Sequence, residues 1–293
     1  MDIRIKTPRD FNYHRTVLSH GWCALQPFEL DQKSWTLVRV LDLEQGEPVT
    51  IEITSPGRVI NINTSRRVGK KAATEIERSV RHMLRLDEDL DEFYRATTAD
   101  PDFAWVAQEG AGRLLRSPTV FEDLVKMICT PNCSWALTEK MVSGLVQHLG
   151  RDAAGGRKSF PTATAMAAKP AEFFRDQIRS GYRAPYLAEL SQRVAFGSLD
   201  VEAWSTSELP VDELIKEMKS VKGVGNYAAE NLLKLIGRYD GLALDSWTRA
   251  QFARLRNQGR AASDKKILRF YSRFKSWRGL VLWCDVTRDW IKP

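Results

Sequence analysis

Val221-Lys222-Gly223-Val224-Gly225-Asn226 joins two segments of helical periodicity, Val211–Lys219 and Asn226–Ile236. Two glycines separated by one apolar residue remove the Cβ atoms that would keep a backbone away from a ligand. They also precede a helix, whose first turn leaves N–H groups unpaired and slightly positive. The sequence therefore predicts either a helical hairpin that seats an anion such as a phosphate, or one in which the glycines serve only the turn.

The composition describes a folded protein with a basic C-terminal end. Hydrophobic residues make up 43% of the 293 residues, and nine residues are Trp, which allows a sizeable core in one large or two modest domains. The net formal charge is +7, and residues 245–293 carry +8 because they hold twelve Lys and Arg against four Asp. This distribution predicts a polyanionic partner, with nucleic acid first and a merely solvated helical surface as the alternative.

Two further classes of protein are disfavoured. No stretch approaches ~18 uninterrupted apolar residues, and Met1–Arg4 opens a polar segment, so we expect neither a membrane span nor a signal peptide. The four cysteines, Cys23, Cys129, Cys133 and Cys284, are too few and too scattered for a disulfide framework. We therefore expect a protein of a reducing compartment, either the cytoplasm near the nucleoid or, in a eukaryote, the nucleus.

Residues 1–66 have the period of two that is typical of half-buried strands. Apolar and polar residues alternate over Trp35–Leu41 and over Val49–Thr54, and a turn is expected at Ser55–Gly57 before Val59–Ile62. The pattern predicts a small antiparallel sheet with one buried face.

From Lys70 onward, apolar residues recur at intervals of three and four, which predicts helices. A first helix follows Lys70, and a second covers Asp87–Tyr94. The remaining predicted helices are Phe121–Cys129, Trp135–Leu149, Ala171–Arg179, Tyr186–Phe196, Val211–Lys219, Asn226–Ile236, Ser246–Arg256, Asp264–Phe274 and Arg278–Trp290. The fold class is therefore α+β and mostly α, with an antiparallel β domain over 1–66 and a two-part helical body over 67–293. That body contains the helix-hairpin-helix at about 211–237 and ends in the basic helical sector.

The residues after the hairpin make the sequence resemble a known family. Gly237–Gly241 forms a loop, Leu242–Leu244 is an apolar approach, and Asp245 follows. In this arrangement the chain resembles the helix-hairpin-helix DNA glycosylases, which excise damaged bases, among them 3-methyladenine DNA glycosylase II and 8-oxoguanine DNA glycosylase. The resemblance implies that Asp245 is the catalytic carboxylate. The structural alternative is an N-cap for the helix starting at Ser246, which would also hold Asp245 rigidly beside positive backbone dipoles.

Two loops extend the resemblance. Ile128–Trp135 resembles the loop that probes the gap left by an extruded nucleotide, and Asn132 corresponds to the inserted residue. Gly181–Tyr186 resembles the segment of 8-oxoguanine DNA glycosylases in which Tyr182 would wedge the duplex and Arg183 would address the opposite base. The structural alternatives are a helix N-cap in the first loop and an aromatic side chain packed at a helix start in the second.

The residue two positions after the second hairpin glycine bears on the mechanism. Bifunctional members of the family carry a Lys there, which attacks the sugar C1′ and forms a Schiff base, whereas this chain has Tyr227. A phenol cannot form an imine. The resemblance therefore favours the monofunctional alkylation-repair members, in which an aromatic residue at this place stacks on the damaged base. A core tyrosine is the structural alternative.

The remaining site residues follow from the same resemblance. Tyr227, Trp22 and Trp247 are expected to form walls of the base pocket, with Trp105 and Trp135 as further aromatic candidates. The hairpin is expected to grip a DNA phosphate, with or without a monovalent cation. The expected DNA contacts are Lys222, Gly223, Val224, Gly225, Asn132, Tyr182, Arg183 and Arg249. No metal site is expected, because the His and Cys residues lack the spacing of metal ligands, and no further cofactor is expected.

The leading expectation is a monofunctional DNA glycosylase of base excision repair, which flips out an alkylated purine and leaves an abasic site. Its partner would be double-stranded DNA, and we expect a monomer that does not associate with membranes. A bifunctional glycosylase/lyase for oxidised purines is the first alternative, favoured by Tyr182 and Arg183 and opposed by Tyr227. A non-catalytic binder of damaged DNA is the second, and it would have no need of Asp245.

Overall fold

The N-terminal segment forms an antiparallel sheet. The computed structural model describes residues 2–291, and within that range the sheet contains five strands. The strands are β1 (Asp2–Lys6), β2 (Phe28–Asp31), β3 (Thr36–Leu41), β4 (Val49–Thr54) and β5 (Val59–Thr64). They are ordered β1-β5-β4-β3-β2, so the first strand lies beside the last.

The alternation of residues predicted for this segment is an alternation of burial in the sheet. Ile51 and Ile53 of β4 are buried while Glu52 between them is exposed, and Ile53 pairs with Ile62 of β5. Gly57, between these strands, has a φ of +95°, a left-handed conformation that glycine adopts without strain. The expected sheet is confirmed, and β1 and β2 are added to the three strands that the sequence indicated.

Helices form most of the remaining chain. They are α1 (Tyr13–Val17), α2 (Lys70–Met83), α3 (Asp91–Thr98), α4 (Trp105–Gln108), α5 (Val120–Cys129), α6 (Trp135–Leu149), α7 (Ala163–Ala167), α8 (Ala171–Asp176), α9 (Ala184–Ala195), α10 (Val211–Lys219), α11 (Asn226–Ile236), α12 (Ser246–Arg256), α13 (Asp264–Tyr271) and α14 (Arg278–Thr287). The bounds of α6, α10, α11 and α12 coincide with the predicted ones, whereas α1, α4 and α7 were not predicted. The fold class, mostly α with a small N-terminal sheet, is confirmed.

Several predicted helices begin or end elsewhere for local reasons. α3 begins at Asp91 and not at Asp87, because Arg85 at φ +55° ends the preceding turn and the Asp89 carboxylate accepts a hydrogen bond from the Asp91 N–H (2.8 Å). α13 ends earlier than predicted because a 3₁₀ turn follows it, in which Lys275 has a φ of +50°. α14 likewise gives way to a 3₁₀ turn before the predicted end.

The predicted helix-hairpin-helix is formed by α10 and α11. Gly223 in the connecting turn has a φ of +90°, and a Cβ atom there would lie 2.7 Å from the ring of Tyr186 on α9. Both the backbone conformation and the packing therefore require glycine. After α11 the chain runs back beside this helix. Leu242 O accepts a hydrogen bond from Lys234 Nζ (3.2 Å), and the Ala243 N–H donates to the Glu230 carboxylate. Asp245 is thereby placed next to α11, the second helix of the hairpin.

A buried ionic cluster connects the sheet to the helical body. Arg39 of β3 donates to Glu122 of α5 (Nη1–Oε1 2.8 Å), and Lys126 Nζ lies 2.7 Å from the same oxygen. Burial alone would raise the pKa of Glu122, but Arg39 and Lys126 outweigh burial and lower the pKa to about 2. A charged carboxylate is therefore held between two cations where β3 packs against α5.

The sheet and the helices contribute to one apolar core. Buried apolar side chains from Ile3 on β1 to Val286 on α14 belong to a single cluster. The boundary predicted at residues 66 and 67 falls between β5 and α2, and the division into two domains stays a prediction. Lys292 of the predicted basic sector lies outside the described residues. Among residues 2–291, no helix is long and apolar enough to cross a membrane.

Candidate active site

Asp245 occupies the N-cap of α12. Its Oδ1 atom accepts hydrogen bonds from the backbone N–H of Thr248 (2.7 Å) and from the Thr248 hydroxyl (2.8 Å). The Thr248 hydroxyl in turn accepts from the Asp245 N–H (2.8 Å), which completes a capping box. Within residues 2–291 the carboxylate accepts no other hydrogen bond, so Oδ2 is free. The N-cap considered as the alternative is present, and it orients the carboxylate without using both oxygens.

Asp245 lines a cavity of about 220 Å³. Tyr227, Trp22 and Trp247, the residues predicted to form the pocket walls, line the same cavity. Further walls come from Trp135, Trp283, Trp290, Asn231 and Lys234. The structure therefore brings the predicted carboxylate and the predicted aromatic walls together, with contributions from the N-terminal segment, the α5–α6 region, α11, α12 and α14.

Tryptophan dominates the lining of this cavity, since five of the nine Trp residues take part. The rings of Trp247, Trp283 and Trp290 pack together with centroids 5.7–6.0 Å apart. The side chain of Trp135 is 40% exposed. Trp105, the other aromatic candidate from the sequence, lines a different and much smaller cavity. Flat aromatic faces of this kind suit a flat heteroaromatic ligand such as a nucleobase.

The Trp22 wall is fixed by hydrogen bonds behind it. The indole N–H of Trp22 donates to Asp123 Oδ1 (2.6 Å), and the same oxygen accepts from the Ser117 N–H (3.0 Å). The ring of His20 packs beside Trp22 with centroids 4.6 Å apart. Burial lowers the pKa of His20 to about 4, so the imidazole adds no charge to the cavity at neutral pH.

Tyr227 stands where the cavity meets a groove on the surface, because it lines both. Burial, with a smaller effect of the Asp245 carboxylate, raises the pKa of Tyr227 to about 12. The side chain is therefore a neutral phenol at physiological pH. It can stack on a base that enters the cavity, and it supplies no nitrogen for an imine.

The groove has a volume of about 350 Å³ and runs past the hairpin. Six of the eight predicted DNA contacts line it, namely Asn132, Tyr182, Arg183, Gly223, Val224 and Gly225. The structure therefore gathers most of the predicted contacts on one surface that continues into the aromatic cavity at Tyr227.

Asn132 and Tyr182 form an exposed edge of the groove. Asn132 has a φ of +56°, a left-handed conformation that Asn tolerates better than most residues, and its amide nitrogen lies 3.4 Å from the Tyr182 hydroxyl. The side chain of Tyr182 is 53% exposed. Ser134, and not Asn132, caps α6 through a hydrogen bond to the Leu137 N–H. Asn132 is thus left without the capping role that was the alternative.

Arg183 is placed differently from what the sequence predicted. Its side chain is buried, and its guanidinium donates to the carbonyl oxygens of Ile128 (3.1 Å) and Pro131. Burial of a guanidinium is favourable only when its donors are satisfied, and here the backbone of the α5–α6 loop satisfies them. In this structure Arg183 holds the loop that carries Asn132. Its predicted contact with the opposite base stays a prediction.

The hairpin itself offers open backbone at the start of α11. Among residues 2–291, no side chain caps the first turn, and none would lie within 4 Å of a Cβ atom at Gly225. Val224 is buried and its N–H donates within the turn to Val221 O (3.1 Å). Lys222 is exposed, with Nζ 2.6 Å from Glu189 Oε2. The uncapped N–H groups of α11 are consistent with an anion at this point.

Arg249 lies apart from the cavity and the groove. Its guanidinium forms a bidentate ion pair with Asp264 (Nε–Oδ1 2.7 Å and Nη2–Oδ2 3.0 Å), which links α12 to α13. Its predicted role as a DNA contact stays a prediction, and it would add to this structural role.

Lys234 is a residue of the cavity that the sequence analysis missed. It is 2% exposed, and its Nζ lies 3.2 Å from Leu242 O and 3.5 Å from Asn231 Oδ1. Burial lowers its pKa to about 7, although Glu230 and Asp245 act in the opposite direction. Spacing was the available signal, because positions four and seven residues after Tyr227 share its face of a helix.

A larger cavity of about 640 Å³ lies away from Asp245, beside β3 and α5, and none of the predicted site residues lines it. Its walls carry charges of both signs, including Arg39, Glu122 and Arg151. Within residues 2–291, no three His, Cys, Asp or Glu side chains are arranged to hold a metal ion.

Comparison with known proteins identifies relatives in structure. The 3-methyladenine DNA glycosylase from Archaeoglobus fulgidus matches with a TM-score of 0.78 and 20% identity, over 98% of this chain and 99% of that one. The Clostridium acetobutylicum 8-oxoguanine glycosylase/lyase in its apo form matches with a TM-score of 0.75 and 18% identity, over 97% and 95%. MBOgg1 in complex with a low-affinity DNA ligand matches with a TM-score of 0.77 and 18% identity, over 98% and 96%.

No protein-family model and no curated protein matches this chain. The match with these solved structures nevertheless spans almost the whole length of this chain and of each compared chain. The chain therefore has the fold of the helix-hairpin-helix DNA glycosylases, as the resemblance in its sequence predicted.

Proposed function

We propose that this protein is a monofunctional DNA glycosylase of base excision repair, which hydrolyses the N-glycosidic bond of a damaged purine. The observation that carries the proposal is the carboxylate of Asp245, which keeps Oδ2 free and lines an aromatic cavity. That cavity meets the hairpin groove at Tyr227, so a nucleotide held in the groove can extend its base past the carboxylate. The DNA glycosylases of the same fold support the proposal.

The proposed reaction needs one carboxylate. As the base departs with the electron pair of the N-glycosidic bond, the sugar acquires the character of an oxocarbenium ion. Asp245 stabilises this positive charge by Coulomb attraction, orients a water molecule and accepts its proton as the new bond to C1′ forms. Tyr227 provides no amine for a covalent route, and the proposed nucleophile is water.

An N-alkylated purine such as 3-methyladenine or 7-methylguanine is the first candidate substrate. Such a base carries a positive charge and leaves without protonation, so the site has only to stabilise the sugar. The indole faces of Trp22, Trp247 and Trp283 support this choice, because electron-rich rings attract a cationic base.

The proposed partner is double-stranded DNA that contains a damaged base. The first turn of α11 and Lys222 would hold a phosphate, with or without a monovalent cation at the hairpin. Asn132 and Tyr182 would fill the space that the extruded nucleotide leaves, which offsets the few kcal/mol that extrusion costs. A monomer would suffice, acting in the cytoplasm near the nucleoid or in the nucleus of a eukaryote.

Asp245→Asn tests the proposal, because Asn can still cap α12 while the negative charge is removed. We expect base release from a duplex containing 7-methylguanine to fall at least about 100-fold under single-turnover conditions, with DNA affinity retained. Asp152→Asn makes the same chemical change at an exposed site and should release base at the parent rate.

Two outcomes would contradict the proposal. Base release by Asp245→Asn at the parent rate would remove this carboxylate from the mechanism. Tight binding of damaged DNA by the parent protein, without release of any base, would favour the non-catalytic binder.

The bifunctional alternative is kept because an amine, Lys234, lines the cavity. Treatment with borohydride during turnover distinguishes the two mechanisms, since it would trap a Schiff base as a covalent protein–DNA adduct. We expect no adduct from the parent protein, and an adduct lost in Lys234→Met would establish the lyase.

A further inference from the structure

Lys234 lies deep in the aromatic cavity and away from its junction with the groove. It follows Tyr227 by seven residues on α11, which corresponds to ~10 Å along the helix axis. Tyr227 marks the end of the cavity that meets the groove, where the sugar–phosphate backbone would lie. A base extruded past Tyr227 therefore brings its far edge toward Lys234, while the sugar stays nearer Tyr227.

One N–H of the Lys234 ammonium has no oxygen acceptor among residues 2–291. It carries three N–H donors, and within residues 2–291 two oxygen acceptors lie in reach, Leu242 O at 3.2 Å and Asn231 Oδ1 at 3.5 Å. The ring of Trp283, with its centroid 6.0 Å from Nζ, adds a cation–π contact and no oxygen acceptor. A fully buried donor without a partner is costly, so a third acceptor is needed or the proton is lost. The base in the cavity is positioned to supply that acceptor.

Several other groups face this amine. The groups that line the cavity with it are Asp245, Tyr227, His20 and Cys133. Glu230 lies on the same helix. On the other side of the helix, Arg85 donates to the backbone carbonyl of Lys234 and Arg116 donates to that of Leu235. Burial is the largest influence and lowers the pKa of Lys234 to about 7, while Glu230 and Asp245 favour the charged form. Near neutral pH both the charged and the neutral form of the amine are therefore populated.

Building on the proposed function, we propose that Lys234 reads the far edge of the extruded purine and assists the departure of uncharged bases. Its ammonium would donate to a carbonyl oxygen or ring nitrogen, as Lys does to the O6 and N7 atoms of guanine. The substrate class added in this way is the neutral oxopurines, with hypoxanthine and 8-oxoguanine as probes.

The chemistry balances as a hydrolysis. When the N-glycosidic bond breaks, its electron pair remains on the base nitrogen, and a neutral base thereby becomes an anion. Lys234 stabilises this anion and transfers a proton to it, so that the base leaves in neutral form. Water adds to C1′ and gives a proton to Asp245. Asp245 then releases this proton to solvent, and the Lys234 amine takes up a proton from solvent, so that both groups return to their starting state. A cationic alkylpurine needs no such donor, because it leaves as a neutral molecule.

The test compares bases of different charge in one assay. Single-turnover release is measured from duplexes containing hypoxanthine, 8-oxoguanine or 7-methylguanine, with the parent protein, Lys234→Met and the control Lys216→Met. We expect Lys234→Met to lose about 100-fold on the neutral purines and less than about threefold on 7-methylguanine. Lys216 is exposed on α10, and its replacement should change none of the rates.

A second measurement needs no variant. For the parent protein, release of hypoxanthine should fall as the pH rises above about 7, because Lys234 loses the proton that it donates. Release of 7-methylguanine should show no such fall. If Lys234→Met fails to fold, this pair of profiles decides by itself, and equal profiles overturn the proposal.

The remaining outcomes separate this proposal from the function on which it rests. Release of 7-methylguanine alone by the parent protein would leave the glycosylase standing and refute the role of Lys234, as would an equal loss on all three bases in Lys234→Met. A borohydride adduct that depends on Lys234 would make it a nucleophile and would likewise refute the role. If the parent protein releases no base at all, both proposals fail.

Discussion

The carboxylate of Asp245 divides its two oxygens between two tasks. Oδ1 is bound to Thr248 in the capping box of α12, whereas Oδ2 accepts no hydrogen bond from residues 2–291. The capping interaction restricts the rotation of the side chain, so the free oxygen has a fixed position in the cavity. One side chain therefore serves as the N-cap and is available for the proposed chemistry, which explains why an N-cap and a catalytic carboxylate could both be inferred at this position.

Tyr227 is expected to act through its ring and not through its hydroxyl. Its pKa of about 12 keeps the phenol neutral, and the proposed mechanism assigns it no proton transfer. Tyr227→Phe should therefore retain base release within about threefold, whereas Tyr227→Ala should lose about tenfold or more, because stacking on a base contributes ~1–3 kcal/mol. Single-turnover release from duplexes with 7-methylguanine measures both variants. A loss in Tyr227→Phe as large as that in Tyr227→Ala would show that the hydroxyl takes part.

The sequence predicted the cavity residues that lie at a fixed spacing from the hairpin motif. Asp245 and Tyr227 lie at defined distances from the hairpin glycines, and both line the cavity. Lys234 was missed, because an isolated lysine in a helix reads as a solvated residue until the neighbouring elements bury it. Arg183 shows the reverse case: the resemblance implied a DNA contact, whereas the fold gives its guanidinium a structural role in holding the α5–α6 loop, and the DNA contact stays a prediction.

The hairpin depends on its two glycines in different ways. Gly223 has a φ of +90°, and a Cβ atom there would lie 2.7 Å from Tyr186, whereas Gly225 has an ordinary φ of −90° and open space around it. Gly223→Ala should therefore destabilise the protein by about 1–3 kcal/mol. Gly225→Ala should cost less than about 1 kcal/mol and weaken DNA binding, because a methyl group would stand where a phosphate approaches.

Urea denaturation and fluorescence anisotropy with duplex DNA measure the two effects separately. The pair of variants serves as its own control, since both changes are Gly→Ala within one turn. Equal stability of Gly223→Ala and the parent protein would contradict the conformational requirement, and unchanged DNA affinity of Gly225→Ala would remove the phosphate from this position.

The helices that were predicted with correct bounds have strong signals at their ends. Ser134 and Asp245 are N-caps with hydrogen-bonding side chains, and Gly237 ends α11 in the left-handed conformation. The 3₁₀ turns after α13 and α14 were read as continued helix, because their apolar spacing is similar and Lys275 at φ +50° has no signature in the sequence. Periodicity therefore located the helices, and at the ends of α6, α11 and α12 a capping residue also marked the boundary.

The cavity is assembled from parts of the chain that are far apart in sequence. Trp22 lies between β1 and β2, and Tyr227 belongs to the hairpin. Trp283 on α14 donates its indole N–H to Ser19 O (2.8 Å), which links the last long helix to the N-terminal segment. No spacing rule connects such residues. Trp283 and Trp290 could for that reason not be assigned to the cavity before the fold was known.

The net charge of +8 over residues 245–293 already counts the aspartates that pair with arginines of this basic C-terminal sector. Asp264, Asp285 and Asp289 form ion pairs with arginines of the same sector. These pairs link α12 to the segments that follow it, and the arginines involved are partly committed to structure. Under the proposed function, long-range attraction of DNA rests on this net charge and on the hairpin, and it should be screened by salt.

The buried cluster of Arg39, Glu122 and Lys126 leads to a prediction about the stability of the whole protein. Glu122→Gln leaves two buried cations without their carboxylate and should lower the free energy of unfolding at pH 7 by about 3 kcal/mol. Glu44→Gln changes an exposed residue whose ion pair with Arg78 is worth less than about 1 kcal/mol, and it is the matched control.

The pH dependence of this difference follows from the lowered pKa of Glu122. A carboxyl group with a pKa of about 2 in the folded state and 4.5 in the unfolded state stabilises the protein above pH ~5 and loses that contribution as the pH falls toward 2. Urea denaturation of the parent protein and Glu122→Gln at pH 7 and pH 3.5 should therefore show a smaller difference at the lower pH. Other titrating groups, such as Asp123, act in both proteins and largely cancel in the comparison. A difference that stays constant between the two pH values would mean that the charge of Glu122 does not hold the sheet to the helical body.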